Sequence, residues 1–478
     1  MTAAAFFDLD RTLLPHASGT IFARHLEAAG IHSKASSVPG ADLMVRVYDL
    51  FGETKFNMRL ARLAVKAAKG WSVEAVETAA KNAVPDLIDA IPGYAKLLLD
   101  EHRESNVKLV IASTSPGVLM RPFAEALGFD DVIGTEWLHD GEKFIGETDG
   151  PFVWGTKKRD AIVAWAADNN ISLSESFGYS DSYFDCPMLD VVGTAVAVNP
   201  DARLSAVAML QGWEIRHFDA PPGVLKFAGR ELQDWMRTFT RTEIAPNASW
   251  KFVGLDNLPE SGPAILAFNH RSYFDVMAMQ QLIAKSGRPC RFLGKAELFD
   301  NPVVGPIARL AGGIRVDRGS GSSEPLEQAI EALHAGEMVA IAPQGTIPRG
   351  HAFFEPKLHG RYGTAQLAID GGKVPVVPVG LWGTEKVWPR SQQVPSFNVL
   401  NPPAVRVSVG EPVDLKYRSV KTDTVRIMDA LSALLPDEAN TPYTPTIEEL
   451  QKTFPPGYTM TDDDIGDSVE GVTRGAAS

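Results

Sequence analysis

Two pairs of side chains in this chain have the types and spacing that catalysis requires. Asp8 and Asp10 follow an apolar run near the N-terminus, and His270 and Asp275 are separated by four residues near the middle of the chain. Carboxylates at the end of a buried strand can attack phosphorus and exchange protons with a leaving oxygen. A histidine held by a carboxylate can take a proton from a hydroxyl group. The chain therefore contains candidates for two unrelated reactions.

The first pair indicates phosphoryl transfer from a phosphomonoester. Asp8 would form an aspartyl-phosphate, and Asp10 would protonate the leaving oxygen and later activate water. Because phosphate and carboxylate repel each other, the reaction needs a divalent cation, and Mg²⁺ suits an all-oxygen site. Asp181 and Asp185 follow another predicted strand, one helical turn apart on one face. We therefore expect the metal ion to lie among Asp8, Asp10, Asp181 and Asp185.

Two more residues have the chemistry to act on a phosphoryl group. Ser113 ends a predicted strand and can donate a hydrogen bond, and Lys158 can offset negative charge in the transition state. An isolated Asp-x-Asp pair is usually a solvated turn or a helix cap. The order and the placement of all six residues together favour the catalytic interpretation.

These residues resemble the motifs of the haloacid dehalogenase superfamily, in its phosphoserine-phosphatase-like branch with a helical cap. The resemblance covers about residues 4–218, and Ser180 stands where family members usually have glycine. It implies a phosphomonoester substrate, with phosphoserine and a lipid phosphate as alternatives. Lys157 remains an alternative to Lys158 as the lysine of the family motif. The residues with implied roles are Asp8, Asp10, Ser113, Lys158, Asp181 and Asp185.

The second pair indicates acyl transfer without a covalent enzyme intermediate. Asp275 would orient His270 and favour its charged form, while the other ring nitrogen takes a proton from a hydroxyl that attacks a thioester. A His-x4-Asp spacing alone is common by chance. Arg318 would bind phosphate at a strand end, as a planar guanidinium does. The tight turn at 343–346 offers backbone N–H groups for a phosphate or a developing oxyanion.

Segments 269–275, 295–299 and 312–318 resemble the motifs of the glycerolipid acyltransferases, the family that includes 1-acylglycerol-3-phosphate acyltransferase. The resemblance covers about residues 248–415. It implies lysophosphatidic acid as the acceptor and acyl-CoA or acyl-carrier protein as the donor. The implied residues are the base His270, its partner Asp275 and the phosphate ligand Arg318.

One motif departs from the pattern of this family. Gln344 stands where the family has glutamate, and Ile347 stands where it has arginine. Glutamine keeps the shape and the hydrogen bonds of glutamate. Arg349 is the candidate substitute for the missing cation, with help from Lys357 or Arg361. The candidate substrate-binding residues are Arg318, Gln344, Gly345, Thr346 and Arg349.

Short apolar runs alternate with helical patterns along the chain, which predicts two α/β domains. The first is a Rossmann-like parallel sheet domain at 1–222 with a helical cap inserted at about 18–91. The second is an α/β acyltransferase domain at 248–435. The predicted strands are 3–8, 108–113, 175–180, 194–198 and 213–218 in the first domain, and 264–268, 291–294, 313–316, 338–342, 376–381 and 404–409 in the second.

Two further segments lie outside these domains. Residues 224–241, within a linker at 223–247, show helical spacing of apolar residues with interleaved cations. This helix either lies on a membrane surface or packs on the second domain, and we favour packing because helices with one apolar stripe are common. Residues 436–478 are rich in proline and acidic residues, so we expect a largely disordered tail.

The composition limits the remaining functions. The 478 residues carry a net charge of −13, which disfavours nucleic acid as a partner. Cys186 and Cys290 fall in different predicted domains, and no apolar run is long enough to cross a bilayer. We therefore expect a cytoplasmic protein without a signal peptide, whose membrane contact is peripheral, on the inner face of the cell membrane. The alternative to two enzymes is that one half is a regulatory or scaffolding module.

Overall fold

The structure is a computed structural model that describes residues 2–31, 54–224, 226–227, 229–240, 246–302, 304–316, 324–461 and 463–464. The chain divides into two compact units, Met1–Leu225 and Lys226–Ser478. Each unit has hydrophobic clusters of its own. In the described residues no helix combines the length and the apolar character that crossing a membrane requires.

The first unit is built on a parallel sheet. The strands of this unit in chain order are β1 (Ala4–Phe7), β2 (Lys108–Pro116), β3 (Asp131–Thr135), β4 (Trp137–His139), β5 (Phe144–Thr148), β6 (Phe177–Ser180), β7 (Thr194–Val198) and β8 (Glu214–Arg216). Strands β4 and β5 form a separate antiparallel hairpin, and the other six form the parallel sheet. The order across the sheet is β3-β2-β1-β6-β7-β8, and every pair in it is parallel. All four residues of β1 are buried, as expected for a central strand with both faces covered. The predicted α/β class is confirmed.

Helices of the first unit connect these strands and form the cap. They are α1 (Gly19–Ala28), α2 (Lys55–Ala67), α3 (Val73–Ala90), α4 (Gly93–Glu104), α5 (Gly117–Ala126), α6 (Thr156–Asp168), α7 (Cys186–Leu189) and α8 (Ala202–Gln211). Side chains cap several of their N-termini. The Ser72 hydroxyl accepts a hydrogen bond from the Ala75 N–H, and Asp201 accepts from the Leu204 N–H at 2.8 Å.

The cap between β1 and β2 is helical, as the sequence indicated, and it also includes the hairpin of β4 and β5. The Gly70 N–H donates to the Phe144 carbonyl at 2.8 Å, and the Phe144 N–H donates to the Trp71 carbonyl at 3.0 Å. The hairpin was not predicted because strands of three and five residues give almost no periodic pattern. Residues 32–53 of the predicted cap lie outside the described residues.

His102 on α4 is a buried histidine of the first core. Its Nε2 lies 2.8 Å from the Tyr179 hydroxyl, and its ring packs against the ring of Phe177. Burial, with a smaller contribution from the positive charge of Arg216, lowers the pKa of His102 to about 4. The imidazole is therefore neutral near pH 7.

The second unit is built on a mixed sheet. Its strands are β9 (Ser249–Val253), β10 (Ala264–Phe268), β11 (Cys290–Lys295), β12 (Ile314–Val316), β13 (Met338–Ile341), β14 (Val376–Trp382) and β15 (Ala404–Val409). The order is β12-β11-β13-β10-β14-β15-β9, and among these pairs the one between β14 and β15 is antiparallel. Strand β9 was not predicted, because it lies at an edge of the sheet and its residues are exposed or half-buried, which leaves no continuous apolar run.

Helices of the second unit lie between these strands and after the last one. They are α9 (Leu232–Phe239), α10 (Asp275–Ser286), α11 (Ala296–Asp300), α12 (Val304–Leu310), α13 (Glu324–His334), α14 (Gly363–Asp370), α15 (Thr384–Val387), α16 (Val420–Ala433) and α17 (Ile447–Lys452). The predicted second α/β domain is therefore present as a three-layer arrangement of sheet and helices.

The helix predicted over 224–241 is shorter than expected. It begins at Leu232, because Gly229 adopts a left-handed φ of 73° that ends any earlier helical turn. The side chain of Gln233 donates to the Cys290 carbonyl at 2.7 Å and accepts from the Cys290 N–H at 3.0 Å. These two bonds favour packing on the second unit over the membrane-surface alternative.

A buried ion cluster connects the start of α9 to the sheet of the second unit. The guanidinium of Arg291, fully buried on β11, pairs with Glu231 at 2.6 Å and with Glu337 at 2.5 Å. Two carboxylates with bidentate hydrogen bonds keep this buried cation charged. The residues just before α9 are therefore part of the second unit.

The expected disorder of the tail is wrong for residues 446–454. Thr446 and Glu449 form a capping box at the start of α17, and Leu450 and Phe454 are buried. The Thr453 hydroxyl also accepts a hydrogen bond from the Gly350 N–H at 2.8 Å. The two buried apolar side chains and this hydrogen bond connect the segment to the unit, whereas residues 465–478 lie outside the described part.

Candidate active sites

Two aspartates lie at the carboxyl ends of neighbouring strands in the first unit. Phe7 on β1 is in register with Tyr179 on β6, and the Asp8 N–H donates to the Tyr179 carbonyl at 2.9 Å. Asp8 and Asp181 follow these strands and are only 5% and 2% exposed. The parallel pairing therefore places both carboxylates at the same edge of the sheet, where open α/β sheets bind ligands.

Lys158 connects two of the predicted acidic residues. Its ammonium nitrogen lies 2.9 Å from Asp8 Oδ1 and 2.7 Å from Asp185 Oδ2, and its side chain is fully buried on α6. The Ser180 hydroxyl also donates to Asp185 Oδ2 at 2.7 Å. The neighbouring Lys157 instead pairs with Asp160 on the surface. The geometry therefore assigns the site lysine to position 158.

Asp10 has a different environment from Asp8. Its carboxylate accepts hydrogen bonds from the Ser18 N–H at 2.5 Å and from the Ser115 hydroxyl at 3.2 Å. Burial raises the pKa of Asp10 above its usual value, and the hydrogen bonds from Ser18 and Ser115 offset only part of this rise. A carboxyl group with a raised pKa keeps a proton for a leaving oxygen, as a general acid must.

Ser113 is buried near the end of β2 and lines the same cavity as Asp8 and Asp10. Its hydroxyl oxygen lies 3.4 Å from the Ser115 N–H, which donates to it. Ser115 was not predicted as a site residue, although it stands two residues after Ser113 and therefore on the same face of β2. The cavity beside these residues has a volume of about 660 Å³.

The four aspartates do not form a single ligand set. Asp185 is engaged with Lys158, Asp10 with two serines, and Asp181 with the guanidinium of Arg11 at 3.0 Å. Within the described residues no three His, Cys, Asp or Glu side chains are grouped to hold a metal ion. The oxygen donors of Asp8 and Asp181 fit Mg²⁺ if backbone carbonyl and water oxygens complete its coordination. Such an ion would take over the neutralisation of Asp181 from Arg11.

In the second unit, His270 and Asp275 form a hydrogen-bonded pair. The Nδ1 atom of His270 lies 2.7 Å from Asp275 Oδ2, and the same oxygen accepts from the N–H groups of Arg271 at 2.7 Å and Ser272 at 2.9 Å. Asp275 is fully buried at the first position of α10, where the helix dipole also favours negative charge. Because Nδ1 is engaged, Nε2 is the ring nitrogen that can take a proton from a substrate.

Gln344 holds the backbone of this histidine. Its Oε1 accepts a hydrogen bond from the His270 N–H at 2.7 Å, across the two loops that follow β10 and β13. Because an amide oxygen accepts as a carboxylate does, the departure from glutamate keeps this contact. Gln344 was predicted to bind substrate, whereas its observed contact positions the backbone of His270.

The turn around Gly345 and Thr346 was predicted to offer its backbone N–H groups to a ligand, and the structure shows a different arrangement. The Gly345 N–H donates to the Ala342 carbonyl at 2.9 Å, so this amide closes the turn and is not directed at a ligand. Gly345 has a left-handed φ of 71°, and a side chain there would approach the stem of Arg361 to 3.2 Å. Thr346 lies beside Ile347, its hydroxyl 3.5 Å from the Ile347 carbonyl.

Three arginines of the second unit are candidates for binding phosphate: two were predicted from the sequence, and the third was found in the structure. Arg318, the predicted phosphate ligand, lies outside the described residues. Arg349 is exposed. Arg390 is only 7% exposed, and its Nη1 donates to the Ile347 carbonyl at 2.7 Å. The sequence showed that the family arginine is absent at Ile347, but nothing in the pattern identified Arg390.

The fold and the strand-end aspartates define the first unit as a phosphatase-like α/β protein. Residues 5–190 match the family model of haloacid dehalogenase-like hydrolases, and residues 249–382 match the model named acyltransferase. A protein of Streptomyces azureus described as inhibiting morphological differentiation is 34% identical over 46% of this chain and 79% of its own length. The chain therefore belongs, through its first unit, to the haloacid dehalogenase-like hydrolases.

Two further relatives carry names of enzymes. A phosphoserine phosphatase of Mycobacterium tuberculosis is 34% identical over 46% of this chain and 71% of its own length. A chloroplastic 1-acyl-sn-glycerol-3-phosphate acyltransferase of Brassica napus is 30% identical over 36% of this chain and 46% of its own length. The two relatives together correspond to the two units of this chain.

Proposed function

We propose that this chain is a bifunctional enzyme. The first unit hydrolyses phosphomonoesters through an aspartyl-phosphate with Mg²⁺, and the second transfers an acyl chain to 1-acyl-sn-glycerol 3-phosphate. The observation that supports the proposal is the contact between candidate catalytic residues within each unit. Lys158 joins Asp8 to Asp185 in the first unit, and Gln344 and Asp275 hold His270 in the second.

In the first reaction, Asp8 attacks the phosphorus atom and the bond to the leaving alcohol breaks. Asp10 donates its proton to the leaving oxygen, as its raised pKa allows. Asp10 then accepts a proton from the water that attacks the aspartyl-phosphate, and phosphate leaves with Asp8 regenerated. Lys158 and the Ser113 hydroxyl stabilise the negative charge on the transferring group. A Mg²⁺ ion held by Asp8 and Asp181 would neutralise the repulsion between phosphate and carboxylates.

In the second reaction, His270 Nε2 takes the proton of the acceptor hydroxyl while the oxygen attacks the thioester carbonyl. The carbon–sulfur bond then breaks, and the thiolate leaves with a proton from His270. Asp275 stabilises the imidazolium during both proton transfers, because its carboxylate lies 2.7 Å from Nδ1. The donor is acyl-CoA or acyl-carrier protein, and the acceptor is lysophosphatidic acid, in agreement with the name of the Brassica napus relative.

We place this enzyme in the cytoplasm, in peripheral contact with the inner face of the cell membrane. Both cysteines are free thiols, as in a reducing compartment. The acceptor carries an acyl chain and resides at a membrane surface. Exposed apolar side chains at Val394, Phe397 and Leu400, in the segment between α15 and β15, suit such a contact.

The test is a crossed pair of variants assayed for both reactions. Asp8→Asn should lower phosphate release from p-nitrophenyl phosphate by about 10⁴-fold because it removes the nucleophile, and should leave acyl transfer unchanged. His270→Ala should lower thiol release from acyl-CoA with lysophosphatidic acid by about 10³-fold and should leave phosphate release unchanged. Each variant is the control for the other. If one reaction is absent from the unmodified protein, the alternative of a regulatory or scaffolding half replaces that part of the proposal.

A further inference from the structure

The cavity over Asp8 and Asp10 has walls from the core and from the cap. Residues at the ends of β1 and β2 form its base, and residues 57–67 of α2 contribute one side. Its volume of about 660 Å³ lies within the range of about 300–1,000 Å³ that small-molecule sites occupy. The leaving alcohol of a phosphomonoester attacked by Asp8 would occupy this space.

The wall of this cavity is mainly apolar. Six large side chains from the cap, from the start of α5 and from the loop before α6 contribute to it. They are Phe22, Leu26, Met58, Leu119, Trp137 and Phe152. The polar groups in the described wall are hydroxyls, amides and indole N–H groups, besides the two catalytic carboxylates. Such a surface gains free energy when it covers hydrocarbon.

No described residue of the wall carries a positive charge. The guanidinium of Arg62, on the neighbouring turn of α2, packs over the ring of Phe152 at 4.9 Å and is exposed. An amino-acid phosphoester has an α-carboxylate and an α-ammonium group, and burying such charges without partners is unfavourable. A leaving group that is a hydrocarbon chain needs no such partners.

We propose that the phosphatase site takes phosphomonoesters whose leaving alcohol carries an acyl or alkyl chain, and discriminates against phosphoserine. The proposal rests on the proposed phosphatase activity and specifies its substrate class. The chain of the substrate packs against the cap, and the phosphate lies between Asp8, Ser113 and Lys158.

The first experiment compares substrates that share one phosphate chemistry. Without any acyl donor, phosphate release is measured from hexanoyl-glycerol 3-phosphate, glycerol 3-phosphate, phosphoserine and p-nitrophenyl phosphate. The first two substrates differ only in the acyl chain, so the ratio of their kcat/KM values measures the contribution of burying that chain. We expect this ratio to be at least about 100 in favour of the acyl ester. A ratio near one, or faster turnover of phosphoserine, would overturn the substrate class. Failure to hydrolyse p-nitrophenyl phosphate would instead overturn the phosphatase activity, and this proposal with it.

The second experiment introduces charge at the edge of the cavity. Leu63 lines the cavity but is 55% exposed, so Leu63→Glu is compatible with folding. We expect kcat/KM for the hexanoyl ester to fall about tenfold relative to p-nitrophenyl phosphate. Leu210→Glu, at an 86% exposed leucine outside the cavity, is the matched control and should leave this ratio unchanged. An equal effect of both variants would contradict the proposed contact with the chain.

A separate observation concerns Arg390 in the second unit. Its guanidinium is buried, Nη1 donates to the Ile347 carbonyl, and the Tyr273 hydroxyl lies within hydrogen-bonding reach. The buried Nε atom has no hydrogen-bond partner among the described residues. The Ser272 hydroxyl donates to the Trp388 carbonyl at 2.6 Å, which connects this segment to the residues between His270 and Asp275.

The charge of Arg390 lacks a counterion in the described part of the unit. No described carboxylate pairs with Arg390, and the charged side chain with the largest effect on its pKa is another cation, Arg349. Burial and this neighbour both lower the pKa of Arg390. A buried guanidinium with a free N–H group and no carboxylate is ready to bind an anion, because phosphate accepts its hydrogen bonds in a fork geometry.

The geometry assigns Arg390 to the phosphate of the acyl acceptor. This assignment rests on the proposed acyl transfer and is independent of the phosphatase cavity. Arg390 thereby replaces the arginine that the family has at the position of Ile347. The guanidinium of Arg390 is close to that position, because it contacts the Ile347 carbonyl.

The test separates the two substrates of the second reaction. Arg390→Gln should raise KM for lysophosphatidic acid about 10- to 100-fold, the loss of a hydrogen bond to a charged group, and leave KM for acyl-CoA unchanged. A rise confined to acyl-CoA would assign Arg390 to the donor and overturn the proposal. Arg418→Gln, the same change at an exposed arginine, is the control. If Arg390→Gln does not fold, Arg390→Lys keeps the charge without the fork, and an unchanged KM for the acceptor would then contradict the assignment.

Discussion

The two sites of this chain handle charge in opposite ways. In the first unit, each of three aspartates is paired with a cation, because Lys158 lies between Asp8 and Asp185 and Arg11 pairs with Asp181. In the second unit, the carboxylate of Asp275 accepts hydrogen bonds from backbone N–H groups, and Arg390 has no described carboxylate partner. A phosphate entering the first site must therefore replace existing ion pairs, whereas a phosphate entering the second adds a missing partner.

This difference has consequences for mutation. Residues in a closed ion network depend on one another, so that removal of one member leaves the others buried and unpaired. Residues of the second site act through contacts that can be removed singly. The following variants test this contrast, from the largest expected effect to the smallest.

Lys158→Met tests the closed network. It leaves Asp8 and Asp185 buried without their cation, so we expect phosphate release to fall about 10³-fold and the free energy of unfolding to fall by about 3–5 kcal/mol. Phosphate release and denaturant unfolding measure the two effects. Lys157→Met, at the exposed neighbour, is the control and should change stability by less than about 0.5 kcal/mol. An unchanged free energy of unfolding in Lys158→Met would show that Asp8 and Asp185 do not need the lysine as a counterion for folding.

Asp275→Asn tests the pair in the second unit. The amide keeps the shape of the side chain but cannot stabilise an imidazolium, so acyl transfer should fall about 10²- to 10³-fold. Phosphate release should not change. Asp256→Asn, at an exposed aspartate of the same unit, controls for the loss of one negative charge. Retention of acyl transfer in Asp275→Asn would exclude a role for the carboxylate in catalysis.

The pH dependence of stability tests the buried histidine of the first core. The pKa of His102 is lowered from 6.5 to about 4 in the folded protein, so the unfolded chain binds a proton first as the pH falls. Stability should therefore be complete above pH 6.5 and decrease by up to about 3 kcal/mol toward pH 4. His102→Gln cannot take up this proton and should show a flatter pH profile in thermal unfolding. Identical profiles would assign the acid sensitivity to other groups.

Gln344 offers the smallest test. Gln344→Ala removes the acceptor for the His270 N–H and should lower acyl transfer about tenfold, the effect of one hydrogen bond. Gln344→Glu restores the residue type of the family and keeps the acceptor, so its rate should stay within about threefold of the unmodified protein. An equal loss of acyl transfer in both variants would show that the NH₂ group of Gln344, rather than its oxygen, supports the reaction.

Much of the fold could be predicted from the sequence where apolar runs are continuous. The bounds of β7, β10 and β15 were predicted residue for residue, because valine, alanine, isoleucine, leucine and phenylalanine make up most of each strand. The hairpin of β4 and β5 was missed because short strands depend on their partners rather than on a pattern. Gly229 shortened α9, an effect of backbone conformation that periodicity does not include.

The sites were predictable to the extent that they lie in motifs. Asp8, Lys158, His270 and Asp275 follow strands or begin helices at recognisable spacing, so chain order alone suggested their contacts. Arg390 stands in no motif, and its role depends on which backbone folds against Ile347. The engagement of Asp185 with Lys158 was also beyond the sequence, because spacing does not specify which partner a carboxylate takes.

The ion cluster of Glu231, Arg291 and Glu337 determines where this chain can be cut for separate expression. A fragment that starts at residue 248 would lack Glu231 and Gln233, and would leave Arg291 with one of its two acidic partners and Cys290 without its side-chain hydrogen bonds. A fragment that starts before Glu231 keeps these bonds. The practical junction between the halves therefore lies upstream of α9, well before β9, the first strand of the second sheet.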